Sequence, residues 1–308
     1  MPSAIPPEVT VLVRDWLSAN HVLLRGDEGT VLVDTGYVKH APFTLALLHT
    51  ALGSAPLTKI VNTHCHSDHM GGNAAVARAY GCPIAIPSGE VAAIEAWDEQ
   101  SLLLDYADQS AERFDVAEML RAGSTYRWGN LDWEAIAVPG HDMNALCFFN
   151  DRHGLLISGD ALWANGFGFV MPPEIDPEAL PATRATLETL ARLPIRTVIP
   201  GHGDPFDDIE TALARAFRRL ESFESNPDRL VWHALRVVLM FKLLECHRFR
   251  LTDLPGYVDR IGLYRDFNAR FLQIAPTTLA ETLVDDLTRS GAARRVQDNL
   301  VPGLPQAG

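Results

Sequence analysis

No two of the four cysteines lie close enough to form a CxxC pair: Cys65, Cys82, Cys147 and Cys246 are widely spaced. This removes the CxxC redox and zinc motifs from consideration, and free thiols in a reducing cytoplasm are the expectation. The opening MPSAIPPEVTVLVRDW has neither a basic stretch nor a long apolar one, so no signal peptide is expected. No apolar run is long enough to cross a bilayer. The most apolar stretch, Leu230 to Leu244, is short, contains Arg236 and Lys242, and reads as a buried helix. Tandem repeats and low-complexity tracts are also lacking, which excludes solenoids and disordered linkers.

Positive charge is in deficit, with 26 Lys and Arg against 39 Asp and Glu. From Phe206 onward there are 14 of each sign, so the whole net charge of −13 lies in the preceding part. An acidic part of this kind repels polyanions at long range, and nucleic acid is not the expected partner. Hydrophobic residues make up 47% of the 308, enough for a sizeable core in two modest domains.

Strand-like and helix-like stretches alternate over the first 205 residues. Val9–Val13 is a short apolar run. His21–Leu24 and Thr30–Asp34 flank a turn, Arg25 to Gly29, and read as a hairpin. Phe43–Leu52 predicts a helix, Lys59–Asn62 a buried strand, Gly72–Tyr80 a helix and Pro83–Ile86 a strand. Glu90–Leu120 is mostly helix-favouring. Thr125–Trp128 with Trp133–Val138, and Ala145–Phe149 with Leu155–Ser158, read as two further hairpins. Leu180–Leu193 predicts a helix and Thr197–Ile199 a last strand. Such a series favours a layered α/β sandwich with mixed sheets. Beyond Phe206 the pattern turns helical, with helices over Thr211–Phe223 and Arg229–Cys246. Thr278-Leu279-Ala280-Glu281 fits a capping box, and Ala293–Val301 fits a small wing. The expected organisation is residues 1–206 as a catalytic domain and 207–308 as a helical, winged-helix-like domain.

Thr63-His64-Cys65-His66-Ser67-Asp68-His69 follows the predicted strand 59–62. A loop at a strand end can turn alternate side chains into one cavity. Neutral imidazoles suit zinc and its neighbours, and a carboxylate adds hard-oxygen character. Four candidate ligands, His64, His66, Asp68 and His69, lie within six residues and could serve two ions. Three later turns have the same form: Pro139-Gly140-His141, Ser158-Gly159-Asp160 and Pro200-Gly201-His202, each at the end of a predicted strand. Singly each is a common turn; together with the cluster they form one series.

These motifs, with Val33-Asp34-Thr35-Gly36 ahead of them, resemble the metallo-β-lactamase superfamily in content and order from Val9 to Pro205. The resemblance implies a four-layer αββα sandwich. It implies His64, His66 and His141 on a first divalent ion, Asp68, His69 and His202 on a second, and Asp160 bridging them. Zinc is the expected metal, with iron and manganese as alternatives. A hydroxide between the ions would be the nucleophile, with Asp68 holding it and moving its proton, and Asp34 would support the ligand loop. Cys65 points away by alternation and is read as packing. His40, His49 and His153 read as surface residues, and His233 and His247 as packed or exposed.

Gly159 to Gly168 is similar to the corresponding stretch of glyoxalase II-type thioesterases, with Trp163 as their aromatic and Gly166-Phe167-Gly168 as their Gly-x-Gly. Phe169 stands where those enzymes carry a basic residue. Quorum-sensing lactonases have a tyrosine where Trp163 stands, and the layout with a helical tail resembles the quinolone-signal response thioesterases. His21, Trp163, Phe167, Phe169 and Met171, with Trp97 and Leu102–Leu104, are candidates for a hydrophobic substrate pocket. The expected activity is hydrolysis of a small ester or thioester by a cytoplasmic protein that needs no nucleic acid and no membrane; a homodimer is left open. An iron persulfide dioxygenase, a phosphodiesterase and a regulatory interaction protein with a residual hydrolase site are the alternatives.

Overall fold

The computed structural model describes residues 5–303. Its first sheet has six strands in chain order: β1 (Val9–Leu12), β2 (His21–Gly26), β3 (Gly29–Val33), β4 (Leu57–Val61), β5 (Ile84–Pro87) and β6 (Glu118–Leu120). β1 to β3 run antiparallel and β3 to β6 parallel. The second sheet contains β7 (Thr125–Trp128), β8 (Leu131–Ala137), β9 (Leu146–Asn150), β10 (Leu155–Gly159) and β11 (Thr197–Pro200), in the order β11-β10-β9-β8-β7. It is antiparallel except for the pair β10–β11.

Side-chain alternation explains the layering. Val22, Leu24, Val31, Val33, Val61 and Ala85 of the first sheet meet Trp133, Ala135, Phe148, Ile157 and Ile199 of the second in one inner core. The alternate residues face outward. Leu23, Leu32, Ile60, Ile84 and Ile86 pack beneath α1 (Ala41–Leu52), α3 (Asn73–Tyr80) and α4 (Val91–Ala96). Cys147, Phe149, Leu156 and Val198 pack beneath α5 (Ala179–Leu190) and α6 (Ile209–Ser225). Both faces of each sheet are apolar, so both must be covered, and the result is the αββα sandwich.

The remaining elements are helical with a small sheet. α7 (Pro227–Cys246), α8 (Leu254–Arg260), α9 (Gly262–Phe267) and α10 (Pro276–Arg289) share a core that includes Leu235, Leu239, Phe267 and Leu283. No side chain of α7 from Leu230 to Cys246 is fully exposed, as its nearly uniform apolarity implies. β12 (Phe249–Arg250), β14 (Asn299–Pro302) and β13 (Ala293–Val296) form the wing.

Two expectations need correction. Glu90–Leu120 is not mainly helix. α4 stops at Ala96 because Trp97 takes a left-handed conformation, as do Leu103 and Asp108 further on. The Asp98 carboxylate accepts from the Gln100 and Ser101 amides and holds a chain of turns, and 118–120 joins the sheet beside β5. Local side-chain bonding and strand pairing here override helix propensity. In these turns Leu102 and Leu104 point into the core under the first sheet, while Leu103, Tyr106 and Ala107 join the core of the C-terminal helices. The expected capping box is also absent. α10 begins at Pro276 with Ala275 before it and no side-chain cap, so Thr278 lies inside the first turn. A proline at the start supplies a preset φ instead.

Candidate metal centre

The ends of β3, β4, β8, β10 and β11 carry Asp34, the 62–69 segment, His141, Asp160 and His202, and α2 (Ser67–Met70) completes the tight turn that holds Asp68 and His69. The side chains fall into two groups whose candidate ligand atoms lie within 4.8 Å of one another: His64, His66 and His141, and Asp68, His69, Asp160 and His202. The two groups share a boundary at Asp160. Its Oδ2 is 3.4 Å from His141 Nε2 in the first group, and its Oδ1 is 3.3 Å from His69 Nε2 in the second. His66 Nδ1 meets His141 Nε2 at 2.8 Å, and His202 Nε2 meets Asp68 Oδ2 at 2.9 Å.

Two glycines make this approach possible. A Cβ on Gly201 would lie 2.3 Å from Asp160 Oδ1, and one on Gly168 would lie 2.7 Å from His141 Nδ1. Any side chain at either position would push a candidate ligand out of place. Gly71 and Gly72 give the close approach of helix and loop expected of them: a Cβ on either would lie 2.4 Å from a backbone oxygen.

Around the groups is a ring of fixing contacts. Asp34, at φ +57°, accepts from the Thr63 amide at 3.0 Å and from Thr63 Oγ1 at 2.9 Å, and its Oδ2 lies 2.8 Å from His69 Nδ1. The Phe169 carbonyl takes a short hydrogen bond from His141 Nδ1. Asn20 Nδ2 donates to the carbonyls of Pro200 and Gly203 and so ties down the loop that carries His202. Asn73 Nδ2 donates to Asn62 Oδ1 at 2.6 Å beneath the ligand loop.

Electrostatics divides the histidines. Burial holds the His64 imidazole well below its usual range, and burial with His141 beside it brings His66 down to about 4. These rings are neutral ligands in waiting. Burial also opposes charge on His69, but the Asp160, Asp34 and Asp68 carboxylates win and raise it well above the usual value. Burial would raise Asp160 in turn; the His202 and His69 rings hold it well below. Three carboxylates thus converge where a positive charge is wanted. Meanwhile His64 Nε2 and His69 Nε2, the nitrogens these rings turn to their groups, are buried without a hydrogen-bond partner. Orphaned buried nitrogens facing carboxylates are costly in a polar-neutral site, and a divalent cation bound by N and O ligands removes the cost. The residues fit such an ion.

The pocket candidates separate. Trp163 is at the site: its indole N–H donates to Asp160 Oδ1 at 3.2 Å, and its ring stands edge-on to His202. Phe169 stands edge-on to His141. Met171 is partly buried between the core under α5 and the core of the C-terminal helices. Phe167 is buried in the core against Phe223 and carries the Arg219 guanidinium on its face, so it lines no pocket. His21 is fully buried, and its side-chain hydrogen bonds go to Arg14 and Thr44, not to either group. Trp97, Leu102 and Leu104 are core under the first sheet. Their apolarity serves packing, which sequence pattern alone does not distinguish from a pocket lining. Cys65 is buried, and burial raises its thiol well above the usual range, which leaves it inert. His49 is exposed; His40 is half-buried, with Nδ1 2.9 Å from Ser18 Oγ. His233 packs on Phe223, away from the cluster.

Sequence reasoning missed Trp16, Glu90 and Asp142. Trp16 is more than half exposed, yet stacks on His202 with ring planes 4° apart and stands edge-on to Trp163. An aromatic in a polar loop carried no signal of this. Asp142 directly follows His141 and lies 3.8 Å from His66 Nε2; an acid next to a candidate ligand was the available clue.

A family model described as the metallo-beta-lactamase superfamily matches residues 14–202. A hydroxyacylglutathione hydrolase from a Polaromonas species is 34% identical over 164 residues, 52% of this chain and 53% of that protein, so the chain spans about half the length of this relative. An acyl-coenzyme A thioesterase of Gallus gallus is 24% identical over 208 residues, 61% of this chain and 73% of that one. Among solved structures, a beta-lactamase domain protein from Burkholderia ambifaria has a TM-score of 0.59 at 21% identity, over 98% of this chain and 95% of that one, which is a likeness of fold.

Proposed function

Because the chain belongs to the metallo-β-lactamase superfamily, we propose that it is a metal-dependent hydrolase that cleaves a small ester or thioester with a hydrophobic portion. The observation that carries this reading is Asp160, with Oδ2 turned to the three-histidine group and Oδ1 to His69 in its own. His64, His66 and His141 would hold one divalent ion, Asp68, His69 and His202 the other, with Asp160 between them. The mixed nitrogen and oxygen set favours zinc, with iron or manganese as the alternatives. Such ions supply Lewis acidity toward a carbonyl and bring a water's pKa toward neutrality.

The chain's own residues do the rest. Asp68, with Oδ2 2.9 Å from His202 Nε2 and 3.7 Å from His69 Nε2, is assigned to accept and pass on the proton of the attacking water. Trp163 fixes the Asp160 carboxylate through its N–H. Asp34 orients His69 from behind. Trp16, Trp163 and Phe169 present aromatic faces beside His202 and His141. They favour an acyl or aryl group and exclude water from it. Hydrolysis of thioesters is supported by the names of the Polaromonas and Gallus relatives. The acidity of the first 205 residues disfavours a nucleic-acid phosphodiester.

The test is metal quantification on protein purified without added metal, followed by a hydrolysis screen over thioesters, lactones, aryl esters and phosphodiesters. Two divalent ions per chain and turnover of a thioester or ester are expected. His66→Ala should remove turnover with the fold intact, while His153→Ala behaves as wild type. A single iron with oxygen uptake would replace this reading by the dioxygenase, and unchanged turnover in the His66 variant would contradict the ligand assignment.

A further inference from the structure

The imidazoles of the cluster, His202 aside, turn one ring nitrogen to their group and leave the other to an oxygen. His64 Nδ1 lies 3.1 Å from Thr63 Oγ1, His69 Nδ1 lies 2.8 Å from Asp34 Oδ2, and His141 Nδ1 is bonded to the Phe169 carbonyl. His66 is turned the other way. Its Nδ1 meets His141 Nε2 at 2.8 Å, so Nε2 faces out of the group. The oxygen facing that nitrogen is Asp142 Oδ2, at 3.8 Å.

Asp142 is itself held. Its Oδ1 accepts from the Asn144 amide at 2.7 Å, and the Glu90 carboxyl stands close behind it. Glu90 is 6% exposed, at the start of α4, with Oε1 buried and unpartnered. Asn144 closes over it, so tightly that a Cβ on Gly89 would lie 2.1 Å from Asn144 Oδ1. No lysine or arginine forms a salt bridge with Glu90 or Asp142 among the described residues. A buried acid beside a half-buried one, without a base, is expensive to maintain. Among the described residues the one imidazole nitrogen within 4 Å of the Asp142 carboxylate is His66 Nε2.

We propose that Asp142, clamped by Glu90 and the Asn144 amide, is the positioning residue of His66, the counterpart in the first group of Asp34 behind His69 in the second. This rests on the metal-centre reading above. At 3.8 Å the carboxylate's charge favours the proton of His66 on Nε2, which leaves the Nδ1 lone pair to the cation, and Glu90 keeps Asp142 from swinging out to solvent. Each group then has one histidine backed by a carboxylate, the arrangement that fixes tautomer and ring orientation at metal sites.

The test uses full-length protein, stripped and titrated with zinc against a chelating indicator, with a cobalt spectrum of each loaded variant. Wild type should bind two equivalents; if it binds none, the metal-centre reading fails and this inference is not what failed. Asp142→Ala should weaken one equivalent about 10- to 100-fold, leave the other in place and shift the cobalt spectrum. Glu90→Ala should weaken the same equivalent by a smaller factor, and Glu90→Gln, which keeps a hydrogen-bond donor toward Asp142, should restore it. Melting temperatures of the metal-free variants report on folding. If Asp142→Ala does not fold, the isosteric Asp142→Asn decides, with weakening of that one equivalent expected. Wild-type affinity at both equivalents in the folded Asp142 variant, or equal weakening of both, overturns the proposal.

Discussion

The sandwich and the C-terminal helices bury very different things. Every fully buried polar or charged side chain among the described residues, from Arg14 to His202, lies in the first 202 positions, and most of those from Asn20 onward surround the two His/Asp groups. The core of the helices after α6 is apolar apart from tyrosine hydroxyls. One region therefore carries polar burial that costs stability, and the other carries nearly pure hydrophobic gain. The first is a site held by its scaffold; the second is scaffold. The two are joined by charge as well as by packing. Tyr37, three residues past Asp34, donates to Glu245 on α7 at 3.0 Å, and Glu245 pairs with Lys39 and Lys242 at 2.8 Å each.

This contrast can be broken at its strongest point first. Asp160→Asn removes one negative charge facing both groups, and turnover is expected to fall by about a thousandfold or more, the scale of the several kcal/mol that metal-site charge contributes. Far-UV circular dichroism should be unchanged. A large loss of fold would show that the polar cluster is structural after all. In the other region, Phe267→Ala should lower stability by about 3–5 kcal/mol in denaturant unfolding, because a fully buried ring leaves a cavity. Its metal content per folded chain should equal that of wild type. If metal were lost with the ring, the two regions would not be separable as stated.

The smallest effect concerns pH. His233 on α7 is brought down to about 4 by burial, with Arg219 and Arg236 nearby. A folded-state value below the unfolded 6.5 means the unfolded chain takes up the proton first. The stability this neutral ring supports is complete above pH 6.5 and is lost as the pH falls toward 4. His233→Leu should therefore flatten the acid side of the stability profile by about 1–2 kcal/mol over that window. A profile parallel to wild type would remove the only titrating weakness assigned to the helical region.

The site's core was readable because its ligands are clustered and sit at turns after apolar strands. Spacing marked His64 to His69, the strand-then-turn pattern added His141, Asp160 and His202, and the resemblance divided them between two ions. Strands and helices of regular period were equally plain, down to the wing at 293–301. What escaped were positions whose role depends on direction. Phe167 and Trp163 lie four residues apart in one loop, yet one is core and the other touches Asp160. Nothing in their chemistry tells which way each points. Glu90–Leu120 misled for a different reason: its alanines, leucines and glutamates favour helix, but left-handed Trp97, Leu103 and Asp108 and the pairing of 118–120 with β5 are long-range outcomes. Asp142 and Glu90 are 52 positions apart and meet only once the sheets are closed.

The stacking of Trp16 on His202 has a practical consequence. Of the six indoles, Trp16 is more than half exposed and Trp163 lies beside it, and together they flank one candidate ligand ring. Ordinary tryptophan emission should therefore change as an ion enters or leaves, without any attached dye. The protein carries its own optical gauge of occupancy, and Trp16→Phe would dim it.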